Sequence, residues 1–339
     1  MATTLLAQTR TALVVDVDSM DPDVAARHTS ATERFCDMTS NQAIVYSESI
    51  RPERLPLFKE AVQKARARGK VLNEQRIVDD AVDLFTVLLA KAVYPHLTGR
   101  VHAQTSPAAA YDTEETIAHA KRLVSVFEAN GIPKERISIK IPTTPESIVA
   151  CQYLEKIGIR TLATCLFSVS QALAASEAGC LYIAPYFNEL RVHFEPGIWK
   201  EYKDTAAEHP MALVIADIVK TYKQIGSKTL IMPASIVTAA EVLALVSLHP
   251  DHLTLSGSVL DQLAALPAAE FPPSAPAAPP TESSSDPSTD YLASGGANLR
   301  AALAADAEST RKLADALKIF GEMEDKLKDL VRKELTTTT

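Results

Sequence analysis

Residues 137–148 read ISIKIPTTPESI, and this stretch decides the fold. Ile137, Ile139 and Ile141 recur at every second position, the period of a strand, and leave Ser138 and Lys140 on the opposite face. A proline and two threonines end the run, and a helical pattern follows over Ser147–Ile157. A short strand that gives way at once to a helix is a βα unit, and repeated βα units build a parallel sheet.

Working outward, the unit repeats. Strands are expected upstream at Leu13–Asp18, Phe35–Met38 and Arg100–Gln104, and downstream at Arg160–Thr164, Leu181–Pro185, Thr229–Pro233 and His252–Leu255. Helices are expected at Leu57–Arg68, Val78–Val93, Thr113–Asn130, Val169–Ala178, Met211–Gln224 and Ala239–Val246. Eight strands in this alternation is the count of an α/β fold of the (β/α)8 TIM barrel type; an open doubly wound sheet usually needs fewer. No GxGxxG or GxxxxGK[ST] follows any strand, so a nucleotide-binding reading has no phosphate loop. The barrel is assigned to residues 1–267. Residues 268–297, which contain FPPSAPAAPPTESSSDPSTD, read as a Pro/Ser-rich flexible linker. Residues 298–339 read as a C-terminal amphipathic helix with Leu303, Leu313, Leu317, Phe320, Met323, Leu327 and Leu330 on one face, able to cover the barrel or a partner subunit. The charge alternation in EMEDKLKDLVRKE reads as its solvated face.

Composition narrows the function classes. The chain has 339 residues, 47% hydrophobic and 22% charged, enough to bury a large core. Its 34 basic and 42 acidic residues give a net charge of −8 without a basic stripe, which argues against nucleic acid and acidic membrane partners. No apolar run is long enough to span a bilayer, and a cytoplasmic location is expected. Cys36, Cys151, Cys165 and Cys180 lack CxxC spacing and read as small core hydrophobes in a reducing compartment. The eight histidines form no HExxH or close ligand set, so neither a metal site nor a cofactor is expected.

In a barrel, active sites form at the C-terminal ends of the strands. Alternation there collects Asp18, Gln104, Lys140, Thr164 and Tyr186, with Leu162 and Ala184 on the same faces. A lysine in this setting has two readings: a structural cation paired with a lumen aspartate, or an amine nucleophile whose pKa falls on desolvation. Spacing alone leaves both open. His102 reads as a lumen histidine satisfied by neighbours, and Asp16 as the structural partner of a lumen cation. Trp199 reads as a loop anchor or as a residue lining an acceptor pocket.

The chain is similar to the transaldolase family, which also contains the smaller fructose-6-phosphate aldolases. The resemblance runs over most of residues 11–260, and the terminal helix looks like the one that transaldolases carry. It rests on VDVDSMD near Asp18, DMTSNQA at Asp37–Ala43, ISIKIPTTPESI around Lys140, TCLFSVSQALAASEAGC at Thr164–Cys180, IAPYFNE at Ile183–Glu189 and TLIMPAS at Thr229–Ser235. It implies that Lys140 is the Schiff-base lysine and that Asp18 moves a proton to and from the hydroxyl at the cleaved carbon. It also implies that Asn41 orients a donor hydroxyl, with Thr39 beside it. Gln104, Leu162, Thr164, Ala184 and Tyr186 resemble the fructose-6-phosphate aldolase pattern, in which Gln, Thr and Tyr hold the catalytic water; transaldolases carry Glu, Asn, Ser and Phe at positions 104, 162, 184 and 186. Ser235 matches a phosphate-contacting serine, but Glu189 and Val237 stand where the family has arginines; either the acceptor is non-phosphorylated or otherwise unusual, or Arg191 or Lys228 compensates from nearby.

The implied function is making or breaking a C–C bond of a ketose-type, dihydroxyacetone-like donor through a lysine Schiff base, on a small sugar or sugar phosphate, with a weakened phosphate site. The alternative is an ordinary pentose-phosphate transaldolase, converting sedoheptulose 7-phosphate and glyceraldehyde 3-phosphate to erythrose 4-phosphate and fructose 6-phosphate. A further alternative is a non-catalytic barrel that binds a partner. A homodimer is compatible with either enzyme.

Overall fold

The computed structural model describes residues 3–68, 73–270 and 285–337. Its parallel strands are β1 (Val14–Val17), β2 (Val101–Gln104), β3 (Ile137–Pro142), β4 (Thr161–Leu166), β5 (Tyr182–Pro185), β6 (Leu230–Ile231) and β7 (His252–Leu255). β2 to β6 form one sheet in sequence order, and β1 pairs with β7 in another. Every residue of β3 and β4 is buried, because helices cover one side and the lumen lies on the other.

Two seams join these sheets into a ring. Between β1 and β2 lies the segment 35–38, expected as a strand. It forms only isolated bridges, Phe35 to Leu97, Val17 to Met38 through Val17 N to Asp37 O (3.0 Å) and Thr39 N to Val17 O (2.9 Å), and Met38 to Val101 through Met38 N to Arg100 O (3.0 Å) and His102 N to Met38 O (2.9 Å). Its ladder is cut short because the Asp37 side chain accepts the Arg100 N–H (2.6 Å). Between β6 and β7 run Asp251 N to Ile231 O (3.1 Å) and Thr254 N to Pro233 O (3.3 Å). The expected strand 229–233 shrinks to Leu230–Ile231: bonds to β5 run on through the Met232 and Ala234 N–H groups, but on the β7 side the Ile231 N–H goes to the Asp251 carboxylate (2.8 Å) and Pro233 has none to donate. Eight parallel segments therefore close a (β/α)8 barrel.

The helices fall where the apolar period placed them, from Leu55–Arg68 to Ala239–Ser247. Helices Leu5–Ala12, Pro22–Arg27, Gln42–Ser49 and Gly257–Ala265 add to them, too short for a period to show. Asn41 caps Gln42–Ser49 with its side-chain oxygen on the Ile44 N–H (3.0 Å).

The segment read as a linker lies in its middle, 271–284, outside the described residues. Its end, 285–297, is docked on the barrel: Tyr291 is buried, its N–H donates to Glu177 (2.8 Å), and Gly296 sits against Pro145 at φ +83°, where a Cβ would meet the Pro145 carbonyl at 2.7 Å. The single terminal helix expected from Asn298 is two, Ala293–Ala305 and Ala307–Thr337. Asp306 breaks the run and caps the second helix by accepting from the Ser309 N–H (3.0 Å) and hydroxyl (2.6 Å). That helix buries Leu313, Leu317, Phe320, Leu327 and Val331 against helix Gln42–Ser49, helix Glu74–Val93 and the turn Leu190–His193 of its own barrel. At about 1.5–3 kcal/mol per buried large apolar side chain, this face alone accounts for firm docking.

The lower lumen is polar, and its carboxylates are paired. Asp16 bonds His252 (2.8 Å) and accepts the Asp37 N–H (2.7 Å), while Asp37 bonds His102 (2.8 Å). The Tyr182 ring lies between both histidines, 5.4 Å from each. Burial pushes Asp16 up to about 6 despite His252. For Asp37 burial pushes the same way, but His102 and the Arg100 N–H outweigh it and hold the carboxyl below its usual range. Asp16 takes the structural role expected of it, with His252 as its partner, whereas His102 is only half satisfied: Nε2 bonds Asp37 and Nδ1 is buried without a partner. Asp16, Cys36 and His252 bring ligand-type atoms within 4.8 Å of one another, but the Asp16 carboxylate is already engaged by His252 and the Asp37 N–H. All four cysteines are free; Cys151, Cys165 and Cys180 are buried. Among the described residues no helix is long and apolar enough to cross a membrane.

Candidate active site

At the opposite end of the lumen a cavity of about 290 Å³ is lined by Asp18, Asn41, Lys140, Tyr186 and Ser235, all expected at the site. Ile44, Leu190 and Phe194 give it an apolar wall, and Ser47, His193 and Ser256 its remaining polar lining. Each expected residue arrives on a strand end or just beyond: Lys140 on β3, Asp18 one residue past β1, Tyr186 one past β5.

Lys140 is only 2% exposed. Its amine has no hydrogen bond or ion pair among the described residues and stands 5.8 Å from the centre of the Tyr186 ring. Burial lowers its pKa, with the Asp18 charge opposing. A lysine left unpaired in a cavity fits the nucleophile reading better than the structural one, for which a bonded carboxylate was the expectation. Asp18 is held by its own N–H to Leu255 O (2.9 Å) and by the Thr39 hydroxyl, which donates to Oδ1 (2.6 Å). Thr39 is in turn 2.6 Å from the Thr254 hydroxyl. Thr39, placed at the substrate by resemblance, thus buttresses Asp18 from behind instead. Leu162 and Ala184 also stay off the lining: both are buried in the barrel wall, Leu162 beside Lys140 in register.

Thr164 donates to the Tyr186 hydroxyl (3.2 Å), and burial raises the Tyr186 pKa well above its ordinary value, keeping it a protonated donor. Gln104 lies beside Lys140 in register and donates through Nε2 to Gln42 (2.7 Å). Gln42 reaches back to the carbonyls of Thr105 (2.9 Å) and Gln104 (3.3 Å). This leaves Gln104 Oε1 buried with no partner, an acceptor able to take a water hydrogen. Gln42, Thr254 and His193 were not singled out from the sequence; for Gln42 the signal was its place immediately after Asn41 at a helix start.

The expected phosphate end is occupied differently. Glu189 is bound by Arg311 of the terminal helix (2.8 Å). Val237 offers only its backbone N–H, which donates to Glu241 (2.7 Å). Trp199 also donates to Glu241 (2.8 Å), so it is a loop anchor and does not line the cavity. The two compensating cations are elsewhere: Arg191 pairs with Glu195 (2.9 Å), and Lys228 precedes β6, at the far end of the barrel. His193 stands at the rim with Nε2 2.9 Å from the Ser235 hydroxyl, and Ser235 is itself held in the left-handed region at φ 60°.

Comparison with known proteins gives the family. Residues 15–331, which include the terminal helix, match the family Transaldolase/Fructose-6-phosphate aldolase. The transaldolase of Saccharomyces cerevisiae is 32% identical over 305 residues, 88% of this chain and 87% of its own. The transaldolase of Vibrio cholerae (strain M66-2) is 33% identical over 261 residues, 77% of this chain and 79% of its own. That of Schizosaccharomyces pombe is 33% identical over 227 residues, covering 67% and 69%. A barrel with this lysine cavity, matched along nearly its whole length, belongs to the transaldolase/fructose-6-phosphate aldolase family and is an enzyme of the Schiff-base aldolase class.

Proposed function

We propose that the enzyme transfers a three-carbon dihydroxyacetone unit from a ketose to an aldose through an imine on Lys140. The observation that carries this reading is the buried, unpaired Lys140 amine sharing a cavity with Asp18 and Asn41; the relatives' common name, transaldolase, supports transfer as the outcome.

The neutral amine attacks the donor's ketone carbon, giving a carbinolamine that loses water to an iminium. Asp18 then takes the proton of the hydroxyl on the carbon beyond the bond to be broken. The C–C bond breaks, its electrons pass to the iminium to give an enamine, and an aldehyde leaves. Addition of the enamine to the acceptor aldehyde reverses these steps, with Asp18 returning the proton to the new alkoxide. Asn41 orients the donor: its oxygen is used in capping the following helix, so the Nδ2 hydrogens are what it offers a ligand. Gln104, Thr164 and Tyr186 position the water that leaves and returns. The enzyme acts in the cytoplasm on a soluble sugar, with no metal or cofactor in these steps and no nucleic acid or membrane partner, and a homodimer suits it.

A second reading has support from one feature. The unpartnered Gln104 oxygen and the Tyr186 hydroxyl suit a water that hydrolyses the enamine-derived imine, releasing free dihydroxyacetone as an aldolase does. Hydride trapping with dihydroxyacetone or fructose 6-phosphate, followed by peptide mapping, tests the shared mechanism: an adduct on Lys140 is expected, and its absence with both donors defeats it. Product analysis with and without erythrose 4-phosphate separates transfer from release.

A further inference from the structure

The cavity that holds Lys140 and Asp18 is also lined by His193, Ser235, Ser256, Leu190 and Phe194. Its charged and polar surroundings are arranged against a dianion. Arg311, the guanidinium nearest to Glu189, is divided among Glu189, Glu308 and Asp315, each at 2.8 Å. Lys312 is turned to Glu308 (3.4 Å) and lies 5.9 Å from the ring centre of Phe167. Arg191 is held by Glu195. The Val237 N–H, a donor that an anion would use, is spent on Glu241, which also takes Asn188 (3.0 Å) and Trp199 (2.8 Å). Excluding Lys140, which the chemistry needs, no lysine or arginine among the described residues lines the cavity. What remains besides the Ser47 and Ser256 hydroxyls is an imidazole and a hydroxyl bonded to each other, able to donate and accept at once.

We infer that the His193–Ser235 pair is the acceptor-recognition element and selects an uncharged, hydroxyl-bearing aldehyde over a phosphorylated one. The inference rests on the proposed Lys140 chemistry and specifies its substrate class. An imidazole–hydroxyl pair satisfies sugar hydroxyls by exchanging its own hydrogen bond for two to the ligand, whereas phosphate calls for the planar charged fork of arginine.

The test measures acceptor preference with dihydroxyacetone bound to the intact full-length enzyme, comparing D-erythrose with D-erythrose 4-phosphate. The parent enzyme is expected to favour erythrose in kcat/KM by about tenfold or more, and His193→Arg to shift the ratio toward the phosphate by about tenfold, mainly through acceptor KM. His193→Asn, which keeps hydrogen bonding without charge, is expected to leave the preference for erythrose in place. Hydride trapping on Lys140 is run on each variant, so that loss of the fold or of the imine is seen separately. No trapping in the parent enzyme refutes the underlying chemistry. Trapping together with a parent preference for the phosphate, or a ratio that His193→Arg moves by less than about twofold, overturns this inference alone.

Discussion

The two ends of one lumen are built from the same kinds of residue and used in opposite ways. At the floor, Asp16, Asp37, His102 and His252 pair off within 2.8 Å, and each carboxylate also takes a backbone N–H. At the mouth, Lys140 has no bonded partner among the described residues and Gln104 keeps an unpaired oxygen. Both ends are desolvated, and an unpaired polar group in such a place is costly unless a ligand completes it. Unpartnered neutral atoms occur at both ends, His102 Nδ1 and Ser138 Oγ at the floor among them, so it is the pairing of the charged groups that separates the half of the barrel that stabilises from the half that reacts.

Substitutions at the two ends should have opposite signatures. Lys140→Met is expected to lower turnover by about 10⁴-fold or more, since the nucleophile itself is lost. Its unfolding free energy should nonetheless stay within about 1 kcal/mol of the parent or rise, because an unpaired buried amine becomes an apolar chain of similar volume. Urea denaturation and a coupled assay read both quantities, and a large loss of stability would show that Lys140 is structural after all. Asp37→Ala should do the reverse, costing about 3–5 kcal/mol of stability by stranding His102, while Lys140 still traps dihydroxyacetone in the folded protein. Tyr186→Phe keeps the ring near Lys140 but removes the hydroxyl bonded to Thr164. Release of free dihydroxyacetone should drop about tenfold relative to transfer, as measured by product ratio. The gentlest probe is pH. Only the neutral amine attacks, so trapping should rise as Lys140 loses its proton, and burial places that rise below the 10.5 of an ordinary lysine. A rate that climbs only beyond that value would put the mouth lysine in the same class as a surface one.

The barrel was legible because its strands are short apolar runs buried on both sides, with Lys140 and Asp18 given by strict alternation. Segment 35–38 and strand 229–233 read as more regular than they are, since a side-chain carboxylate and a proline interrupt ladders that an apolar pattern cannot foresee. The terminal helix showed its buried face but not the break at Asp306, where capping chemistry overrides the period. Least legible were partnerships between distant residues. Thr39 with Thr254, 215 positions apart, arises only when the ring closes, and Glu189 with Arg311 only when the terminal helix docks.

The Thr254–Thr39–Asp18 chain has a consequence for isotope experiments. Thr39 has one hydrogen and gives it to Asp18, so Thr254 must give its own to Thr39. When Asp18 takes up the substrate's proton its pull on Thr39 weakens, and both hydroxyls relax in step. A proton inventory in mixed light and heavy water should then curve, reporting several hydrogens in flight during bond cleavage where a lone carboxylate would give a straight line.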